Sequence, residues 1–348
     1  MPEPLVRPWT RRRAATIAAL VLAPVVTGPL DAQSTVPDDI KRRLIEIGFA
    51  PPYASSDSIY LPLLARVPRS GVTVTKDLAY GSDRRHRLDV YRPDGAARAP
   101  VFVYVHGGGY RTGDRDINEE IYANVLNYFS RHGMLGINAT YRLAPDATWP
   151  SGGEDMRQLI DWVRANAAEY GGDPDRIFMM GHSAGATHVA TYAFDRRFQP
   201  ASGHGLAGVV LVSGRYTIKD EPADPTFDGI RLYFGDDPSG YPTRSVVTHV
   251  PGSDVAAMLV IAEYDQRNLV ETTGELFVAL CDRDEGRCPR FLQLKYHNHM
   301  SEISHINTQD DLLGSEILEF FKEGAARQTK NAAEALIVEG ADRPGGTR

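Results

Sequence analysis

The sequence is poor in cysteine, carries no excess of positive charge and has a low mean hydropathy. Two cysteines among 348 residues exclude a disulfide scaffold and a zinc site with four thiolate ligands. Lys and Arg total 38 against 45 Asp and Glu, and the net charge of −7 argues against nucleic acid as the main partner. A mean hydropathy of −0.31 excludes a protein with many membrane spans. The remaining class is a globular protein with one large α/β domain or two smaller ones.

The amino-terminal residues 1–32 have the pattern of an export signal. Arg7 and the run Arg11-Arg12-Arg13 form a positive segment, residues 14–30 carry no charge, and Ala32 offers a small residue at a cleavage point. Two prolines interrupt the apolar stretch, which favours a cleaved signal over a permanent membrane span. We therefore expect a periplasmic or secreted protein, exported by the general secretory or the twin-arginine route. A basic leader on a cytoplasmic protein is the alternative.

Export would also explain the two cysteines. Cys281 and Cys288 are close enough in sequence to close one small loop. In an oxidising compartment we expect a disulfide between them, worth about 2–3 kcal/mol. Their spacing does not match a redox-active Cys-x-x-Cys pair. Two separate buried thiols are the alternative.

Short β-rich runs alternate with helical patterns through most of the chain. The runs Val72–Tyr80 and Arg87–Arg92 predict an opening hairpin, and the apolar run Pro100–Val105 is typical of a buried central strand. Further strands are predicted at Met134–Tyr141, Arg176–Met180, Leu206–Ser213, Ala256–Ala262 and Arg290–Lys295. Helices are predicted between or after them at Ile117–Arg131, Gly153–Tyr170, His188–Phe194, Leu269–Leu280 and Ser315–Phe321. The alternation predicts an α/β fold with a mostly parallel central sheet and helices on both faces.

Two segments interrupt this alternation. Residues 33–70 contain one short helical pattern and a Pro/Ser-rich stretch, and residues 216–250 combine acidic residues, Pro, Gly and aromatics. Insertions of this kind often lie over a binding site. We therefore expect an N-terminal cap segment at 33–70 and a cap or lid insertion at 216–250 on a main domain of residues 71–325. The polar residues 326–348 are expected to form a flexible tail.

A candidate nucleophile lies between a predicted strand and a predicted helix, in Gly181-His182-Ser183-Ala184-Gly185. A nucleophile at a tight strand-to-helix turn has strained backbone torsions, and glycines on both sides avoid clashes with bulky neighbours. The helix that follows directs its N-terminal amides towards developing negative charge. The motif predicts Ser183 as a nucleophile, with His182 as a candidate residue of the substrate pocket.

A second motif, His106-Gly107-Gly108-Gly109-Tyr110, follows the apolar strand. Glycine lets the main chain approach an oxyanion without a Cβ in the way. We expect the amides of Gly108 and Gly109, with that of Ala184, to form an oxyanion hole, and His106 to fix the loop by hydrogen bonding. Tyr110 is a candidate for the substrate pocket. A glycine-rich turn needed only for close packing is the alternative.

The two motifs together resemble those of the α/β-hydrolase superfamily, and more closely its carboxylesterase branch near hormone-sensitive lipase and the small feruloyl-esterase-like enzymes. The resemblance runs from about Tyr80 to Phe321 and includes Tyr141-Arg142-Leu143-Ala144-Pro145, Trp149-Pro150 and Tyr170-Gly171-Gly172-Asp173-Pro174. His182 and Ala186 stand where hormone-sensitive lipases proper usually have Asp and Gly, which favours the smaller esterases. The resemblance implies an α/β-hydrolase fold with small cap insertions for the main domain.

The resemblance also implies a catalytic triad in the order serine, acid, histidine. Asp265, after a predicted strand, matches the acid of the family, and Glu263 is the second candidate. His299 matches the histidine that an apolar residue follows, whereas only proximity recommends His297 and His305. We therefore expect His299 to act as the base and Asp265 to orient it.

The implied activity is that of a serine carboxylic-ester hydrolase that acts on small-molecule esters through an acyl-enzyme and needs no cofactor. Amide or formamide cleavage on the same triad, as in arylformamidase-type enzymes, is one alternative. A non-catalytic binding protein with a hydrolase-like fold is another. A zinc site built from His297, His299 and His305, with Glu302 nearby, is disfavoured because the chain already contains a metal-free hydrolytic set. We expect neither nucleic acid as a partner nor a membrane span after signal cleavage.

Overall fold

An eight-stranded sheet organises the computed structural model, which describes residues 36–49, 54–116, 120–224 and 226–324. The strands follow the spatial order β1-β2-β4-β3-β5-β6-β7-β8. Their bounds are β1 Val72–Ala79, β2 Arg87–Pro93, β3 Ala99–Val105, β4 Leu135–Ala139, β5 Gly172–His182, β6 Gly208–Val212, β7 Ala257–Tyr264 and β8 Arg290–Asn298. Strands β3 to β8 are parallel to one another, and β2 is antiparallel to both of its neighbours. The prediction of a mostly parallel α/β sheet is confirmed.

Ten α-helices accompany the sheet in the described part of the chain. Their bounds are α1 Asp38–Ile47, α2 Ala54–Leu64, α3 Tyr122–Arg131, α4 Ser151–Asn166, α5 Ala184–Phe194, α6 Phe227–Phe234, α7 Tyr241–Arg244, α8 Arg267–Arg283, α9 Ser301–Ser304 and α10 at 312–324. None of them has the length and apolar character needed to cross a bilayer. The predicted export signal at 1–32 and the predicted tail at 326–348 lie outside the described residues.

Both faces of the sheet are covered because successive side chains of a strand point in opposite directions. On β3, Val101 and Val103 belong to one buried apolar cluster and Phe102 and Tyr104 to another. The first cluster contains residues of α4, α5 and α8, and the second contains residues of α1, α3 and α10. A continuous apolar run such as β3 is therefore buried on both sides, as expected for a central parallel strand.

The segment before the sheet is helical over most of its described length. Helix α1 agrees with the predicted pattern, but the Pro/Ser-rich stretch that was not assigned a structure forms α2. Helix α2 is fixed to the end of β8, where the hydroxyl of Ser56 lies 3.0 Å from Oδ1 of Asn298. Its neighbour Asp57 accepts a hydrogen bond from the hydroxyl of Ser304. The segment thus lies beside the carboxyl end of the sheet.

The second insertion, at residues 216–250, connects β6 to β7 and contains α6 and α7. Four of its five aromatic residues, Tyr216, Tyr233, Phe234 and Tyr241, are buried, and Phe227 is half-buried. The main-chain carbonyl of Tyr233 accepts a 2.8 Å hydrogen bond from the Trp149 amide, and its hydroxyl accepts one of 2.9 Å from the Gly152 amide. The insertion is therefore attached to the region around the start of α4.

The two cysteines form the expected disulfide. Cys281 lies near the end of α8, and Cys288 precedes β8, with their Cα atoms 4.2 Å apart. The bridge therefore closes the loop between the elements that carry Asp265 and His299 at their far ends.

Candidate active site

The strand register brings the two glycine motifs to one edge of the sheet. Val105, the last residue of β3, pairs with Gly181 near the end of β5. His182 pairs with Val212 at the end of β6, and Val212 pairs with Val260 of β7. The carboxyl ends of parallel strands meet at the same edge, and sites of open α/β sheets form there. The loops after β3, β5, β6, β7 and β8 consequently converge.

Ser183 occupies the turn between β5 and α5 in a strained conformation. Its φ of 55° and ψ of −123° are unusual for a residue other than glycine. The amide of Ser183 donates a 2.8 Å hydrogen bond to the Val212 carbonyl, which holds the turn against β6. A Cβ on Gly185 would lie 2.3 Å from the Val105 carbonyl oxygen, so the close approach of α5 to β3 requires glycine there. These features match the sharp turn predicted for a nucleophile.

His299 and Asp265 form a buried pair. Nδ1 of His299 lies 3.0 Å from Oδ1 of Asp265, and both side chains are almost inaccessible to solvent. Asp265 also accepts hydrogen bonds from the Gln266 amide and from the hydroxyl of Ser213. Burial acts to raise the pKa of Asp265, but the attraction of His299 and these hydrogen bonds outweigh it and leave the pKa lowered. Asp265 is therefore held as a carboxylate.

The alternative triad residues have other partners. The exposed Glu263 accepts a 2.7 Å hydrogen bond from the Tyr296 amide. Nε2 of His297 lies 2.9 Å from Oδ2 of Asp310, and Nδ1 of His305 lies 2.8 Å from the Ser301 carbonyl. Of the three candidate histidines, His299 is the one that lines the pocket containing Ser183.

The glycine loop after β3 faces Ser183. Gly108 has a φ of 136°, and a Cβ there would lie 1.9 Å from the carbonyl oxygen of Thr112. His106 fixes the loop as expected, because its ring nitrogens lie 2.6 Å from the Gly107 carbonyl and 2.9 Å from the Thr140 hydroxyl. Burial lowers the pKa of His106 to about 4, so this histidine is neutral.

Ser183 and His299 open into one pocket of about 490 Å³. Its wall includes Gly108 and Gly109 from the glycine loop and Asp57 from α2. Ala184, the third residue expected in the oxyanion hole, is the first residue of α5, where amides have no partner in the helix. A second cavity of about 550 Å³ borders the first at Gln266, which lines both.

Tyr110 and His182, the two residues suggested for the substrate pocket, are placed differently from each other. Tyr110 is buried, its ring stacks on Tyr233 at 4.8 Å, and its hydroxyl lies 3.1 Å from that of Thr187. It borders a smaller depression of about 330 Å³ beside the glycine loop, and its aromatic packing attaches the 216–250 insertion to that loop. It lies outside the lining of the pocket that contains Ser183. His182 does line that pocket.

The side chain of His182 is directed away from solvent. Its Nε2–H is shared between the main-chain carbonyl of His299, at 2.8 Å, and Oε1 of Glu302, at 3.0 Å. Burial, assisted by the charge of His299, lowers the pKa of His182 to about 3, so the ring is neutral. His182 thus connects the nucleophile turn to the loop that carries His299.

Two residues near the site were missed by sequence reasoning. The hydroxyl of Ser213, directly after β6, contacts the carboxylates of both Asp265 and Glu302. Glu302 was considered only as a neighbour of the candidate zinc histidines. No motif marks either residue, because their proximity depends on how β6, β7 and α9 end at the same sheet edge.

The histidines of the zinc alternative do not form one group. Within the described residues, the clusters whose ligand atoms lie close enough for a metal are His182 with His299 and Glu302, and His297 with His305 and Asp310. In the second cluster the centres of the two imidazole rings lie 4.3 Å apart, the rings are tilted by 40° to each other, and His297 is hydrogen-bonded to Asp310. Two imidazoles that bind one tetrahedral zinc ion have their ring centres about 5 Å apart, given Zn–N distances of about 2 Å. The arrangement favours hydrogen bonding over metal binding.

The fold is the α/β-hydrolase fold, as the two motifs predicted, and comparisons with known proteins confirm the resemblance to esterases of that fold. Residues 88–199, which include both motifs, match the family model described as BD-FAE. Solved structures similar in fold include esterase B of Lactobacillus rhamnosis, with a TM-score of 0.66 and 18% identity over 85% of this chain and 98% of that one. A hyperthermophilic esterase of Pyrobaculum calidifontis has a TM-score of 0.63 and 20% identity, covering 83% of this chain and 99% of that one.

Curated relatives with similar sequences are also named as esterases. Esterase LipQ of Mycobacterium tuberculosis is 36% identical over 173 residues, which are 47% of this chain and 40% of that protein. Versiconal hemiacetal acetate esterase of Dothistroma septosporum is 27% identical over 198 residues, 54% of this chain and 57% of that protein. The chain therefore spans less than two thirds of the length of either relative.

Proposed function

We propose that the protein is a serine carboxylic-ester hydrolase in which Ser183, His299 and Asp265 act as the catalytic triad. The observation that carries this proposal is the buried 3.0 Å contact between His299 Nδ1 and Asp265 Oδ1 beside the pocket that Ser183 and His299 share. The names of the similar proteins, which are esterases, support the same class of reaction.

In the first half of the reaction, the Ser183 hydroxyl attacks the ester carbonyl carbon. The Asp265 carboxylate accepts the Nδ1–H of His299, so the neutral ring carries its proton on Nδ1 and not on Nε2. The Nε2 atom therefore accepts the proton that the Ser183 hydroxyl releases. Asp265 stabilises the imidazolium that forms and stays ionised. The C–O bond to the alcohol then breaks, the alcohol leaves with the proton from His299, and an acyl-enzyme remains on Ser183.

The negative charge of the tetrahedral intermediate develops on the former carbonyl oxygen. The amides of Gly108 and Gly109 on the glycine loop and that of Ala184 at the start of α5 are the donors we assign to it. Such preorganised donors need no rearrangement during the reaction, and removal of one typically costs about 10²–10³ in kcat. In the second half of the reaction, water activated by His299 attacks the acyl-enzyme through the same intermediate and releases the acid.

The space around Ser183 suits a small-molecule ester. The 490 Å³ pocket and the 550 Å³ cavity that meet at Gln266 fall in the usual size range of small-molecule sites. We assign the acyl and alcohol portions of the substrate to these two spaces, on either side of the scissile bond. The shape of these two spaces restricts the size of the substrate. Selection between an ester and an amide of the same size then depends on the chemistry of the leaving group.

We also propose that the protein is exported. The support is the Cys281–Cys288 disulfide, since such bonds persist in oxidising compartments and are rare in the cytosol. The positive and apolar pattern of residues 1–32 agrees with that location.

Labelling with a fluorophosphonate probe tests the proposed reaction, because the probe modifies an activated serine. We expect a single adduct on Ser183 by peptide mass analysis, and hydrolysis of short-chain aryl esters by the unlabelled protein. The Ser239→Ala variant, which changes an exposed serine on the 216–250 insertion, is the matched control for Ser183→Ala. An aryl ester and its anilide counterpart, compared side by side, distinguish an esterase from an amidase. Absence of labelling together with inertness towards both substrates would support the binding-protein alternative.

A further inference from the structure

A second carboxyl group is buried next to the triad. Glu302, on α9, is fully inaccessible to solvent, and Asp265 lies nearby on the loop after β7. The hydroxyl of Ser213 joins the two, because it contacts Oδ2 of Asp265 and lies 2.8 Å from Oε2 of Glu302. Two carboxylates in a dry environment repel each other, so one of them is expected to hold a proton.

The hydrogen-bond donors show which carboxyl group is protonated. Asp265 faces three donors, namely His299 Nδ1, the Gln266 amide and the Ser213 hydroxyl. Since Ser213 has a single proton and gives it to Asp265, its oxygen can only accept from Glu302. The 2.8 Å contact therefore needs a proton on Oε2 of Glu302. Burial and the charge of Asp265 raise the pKa of Glu302 well above its usual range, in agreement with this assignment.

The other oxygen of Glu302 is bound to the nucleophile turn. Oε1 accepts from Nε2–H of His182, which donates at the same time to the main-chain carbonyl of His299. The same Oε1 lies 3.6 Å from Nδ1 of His299. Glu302 thus contacts His182, the residue before Ser183, directly, and reaches Asp265 through Ser213 and the main chain of His299 through His182.

We propose that Glu302 is a positioning residue of the triad, which acts in its protonated form by holding Ser213 against Asp265 and His182 against the main chain of His299. This proposal rests on the proposed function. In its protonated form Glu302 adds no charge to the site, so Asp265 is the anion that stabilises the His299 imidazolium. The residue exchanges no proton with the substrate.

A physical reason favours a neutral Glu302 over an ionised one at this position. A second anion 3.6 Å from His299 would stabilise the imidazolium before the reaction, so that fewer rings would be unprotonated and able to accept the proton of Ser183. The titratable groups that surround Glu302 come from β3, β5, β6, β7 and β8 or the loops after them, and they are Tyr104, His182, Tyr216, Asp265 and His299. None of them is a fixed cation such as Lys or Arg, so none would compensate a charge on Glu302.

The protonation state is tested without any activity measurement. Protein labelled with ¹³C at the side-chain carboxyl of glutamate gives one resonance per residue, and the Glu302→Gln variant identifies that of Glu302. We expect its chemical shift at pH 7 to be that of a protonated carboxyl and to stay constant from pH 5 to pH 8. A shift typical of a carboxylate at pH 7 would overturn the proposal. This measurement reports the protonation state of Glu302 even if the protein hydrolyses no ester.

The positioning role is tested by three variants and one control. A glutamine amide donates to Ser213 and accepts from His182 as a protonated carboxyl does, so Glu302→Gln should recover most of the kcat that Glu302→Ala loses. We expect Glu302→Ala to lower kcat about 10- to 100-fold with KM changed less than about twofold, the size of loss that a small displacement of a catalytic group causes. Ser213→Ala, which removes the bridge and leaves Glu302 in place, should cause a loss of similar size.

The control is Glu263→Gln, which neutralises an exposed acid near the end of β7 and should leave kcat unchanged. Equal losses in Glu302→Gln and Glu302→Ala would show that a carboxylate charge is required and would contradict the proposal. Full activity in both Glu302→Ala and Ser213→Ala would also contradict it. If the wild-type protein is inactive towards every ester, the proposed function fails, whereas the carboxyl resonance still decides the state of Glu302.

Discussion

His182 donates its Nε2–H to the main-chain carbonyl of His299 across 2.8 Å. The residue before the candidate nucleophile is thereby tied to the residue that carries the candidate base, although 117 positions separate them. The hydrogen bond fixes the distance between the nucleophile turn after β5 and the loop after β8. An aspartate at position 182, as in hormone-sensitive lipases proper, could not donate to that carbonyl when ionised.

The first prediction concerns the nucleophile. Ser183→Ala should lower ester hydrolysis by a factor on the order of 10⁶, the loss measured for the triad serine of a well-studied protease. The fold should survive, because α5 and β6 are held by main-chain bonds that alanine retains. Initial rates and thermal unfolding of the variant and of Ser239→Ala provide the measurement. Activity of Ser183→Ala close to that of the wild type would refute the central proposal.

The second prediction separates the three histidines after β8. His299→Ala should abolish turnover, whereas His297→Ala and His305→Ala should keep kcat per folded molecule. His297→Ala should instead lower the free energy of unfolding by about 3 kcal/mol, because it removes the buried 2.9 Å contact between His297 and Asp310. Active-site titration combined with urea unfolding measures both quantities. A dead His297 variant beside an active His299 variant would reverse the assignment of the base.

Much of this arrangement could be predicted from the sequence because its signals are local. Gly-x-Ser-x-Gly and the three successive glycines encode backbone conformations, and the apolar run of β3 encodes burial on two faces. Helix α3 is described from Tyr122, and the first residues of the predicted helix Ile117–Arg131, at 117–119, lie outside the described residues. Strand β5 extends further in both directions than the predicted Arg176–Met180. Such ends depend on pairing with neighbouring strands, which periodicity does not report.

The residues that surround the candidate triad could not be predicted. Ser213 and Glu302 are 89 positions apart, and each belongs to a residue type that is common on protein surfaces. Their contact exists because β6 and β7 are adjacent and α9 turns back over their ends. Helix α2 was missed for a related reason. Its Pro and Ser residues are weak helix formers, and contacts such as that of Ser56 with Asn298 stabilise it.

The third prediction distinguishes the two candidate acids. Asp265→Asn should slow hydrolysis about 10⁴-fold with a smaller effect on KM, since an amide disfavours the imidazole tautomer that the reaction needs. Glu263→Gln should be nearly neutral, because its carboxylate is exposed and accepts a hydrogen bond from the Tyr296 amide on the edge strand β8. Steady-state kinetics of the two variants decide between them. A neutral Asp265→Asn would transfer the role to another carboxyl group.

The fourth prediction concerns the disulfide. Reduction of Cys281–Cys288, or the double change Cys281→Ser and Cys288→Ser, should lower the melting temperature by a few degrees, as expected for a loss of about 2 kcal/mol in a domain of this size. Rates well below the melting temperature should not change, because the bridge lies at the far ends of the elements that carry the triad. Intact-mass analysis with a thiol alkylator, applied to protein recovered from the periplasm, tests export as well. Two freely alkylated thiols or an uncut leader would contradict the export proposal.

The fifth prediction is a loss of stability under mildly acidic conditions, caused by four buried histidines. Burial lowers the pKa of His182 and His188 to about 3 and that of His106 and His305 to about 4, from an ordinary value of 6.5. These rings stay neutral in the folded state, whereas the unfolded chain takes up a proton at each of them below pH 6.5. Their contribution to stability is therefore complete above pH 6.5 and is lost as the pH falls towards 4.

The expected slope of this loss is large and can be assigned to individual rings. Around pH 5, each such histidine makes the free energy of unfolding fall by about 1.4 kcal/mol per pH unit. Urea unfolding at half-unit intervals from pH 7.5 to pH 4.5 measures the slope directly. The matched variant is His305→Gln, which keeps a donor for the Ser301 carbonyl and removes one titrating ring. Whatever its stability at pH 7, the slope of its free energy of unfolding should be smaller by about 1.4 kcal/mol per pH unit, the contribution of one proton. A free energy of unfolding that stays constant between pH 7.5 and pH 5 would show that these rings take up protons in the folded protein as they do in the unfolded chain. The assignment of His182 as a ring that stays neutral in the folded protein would then be wrong.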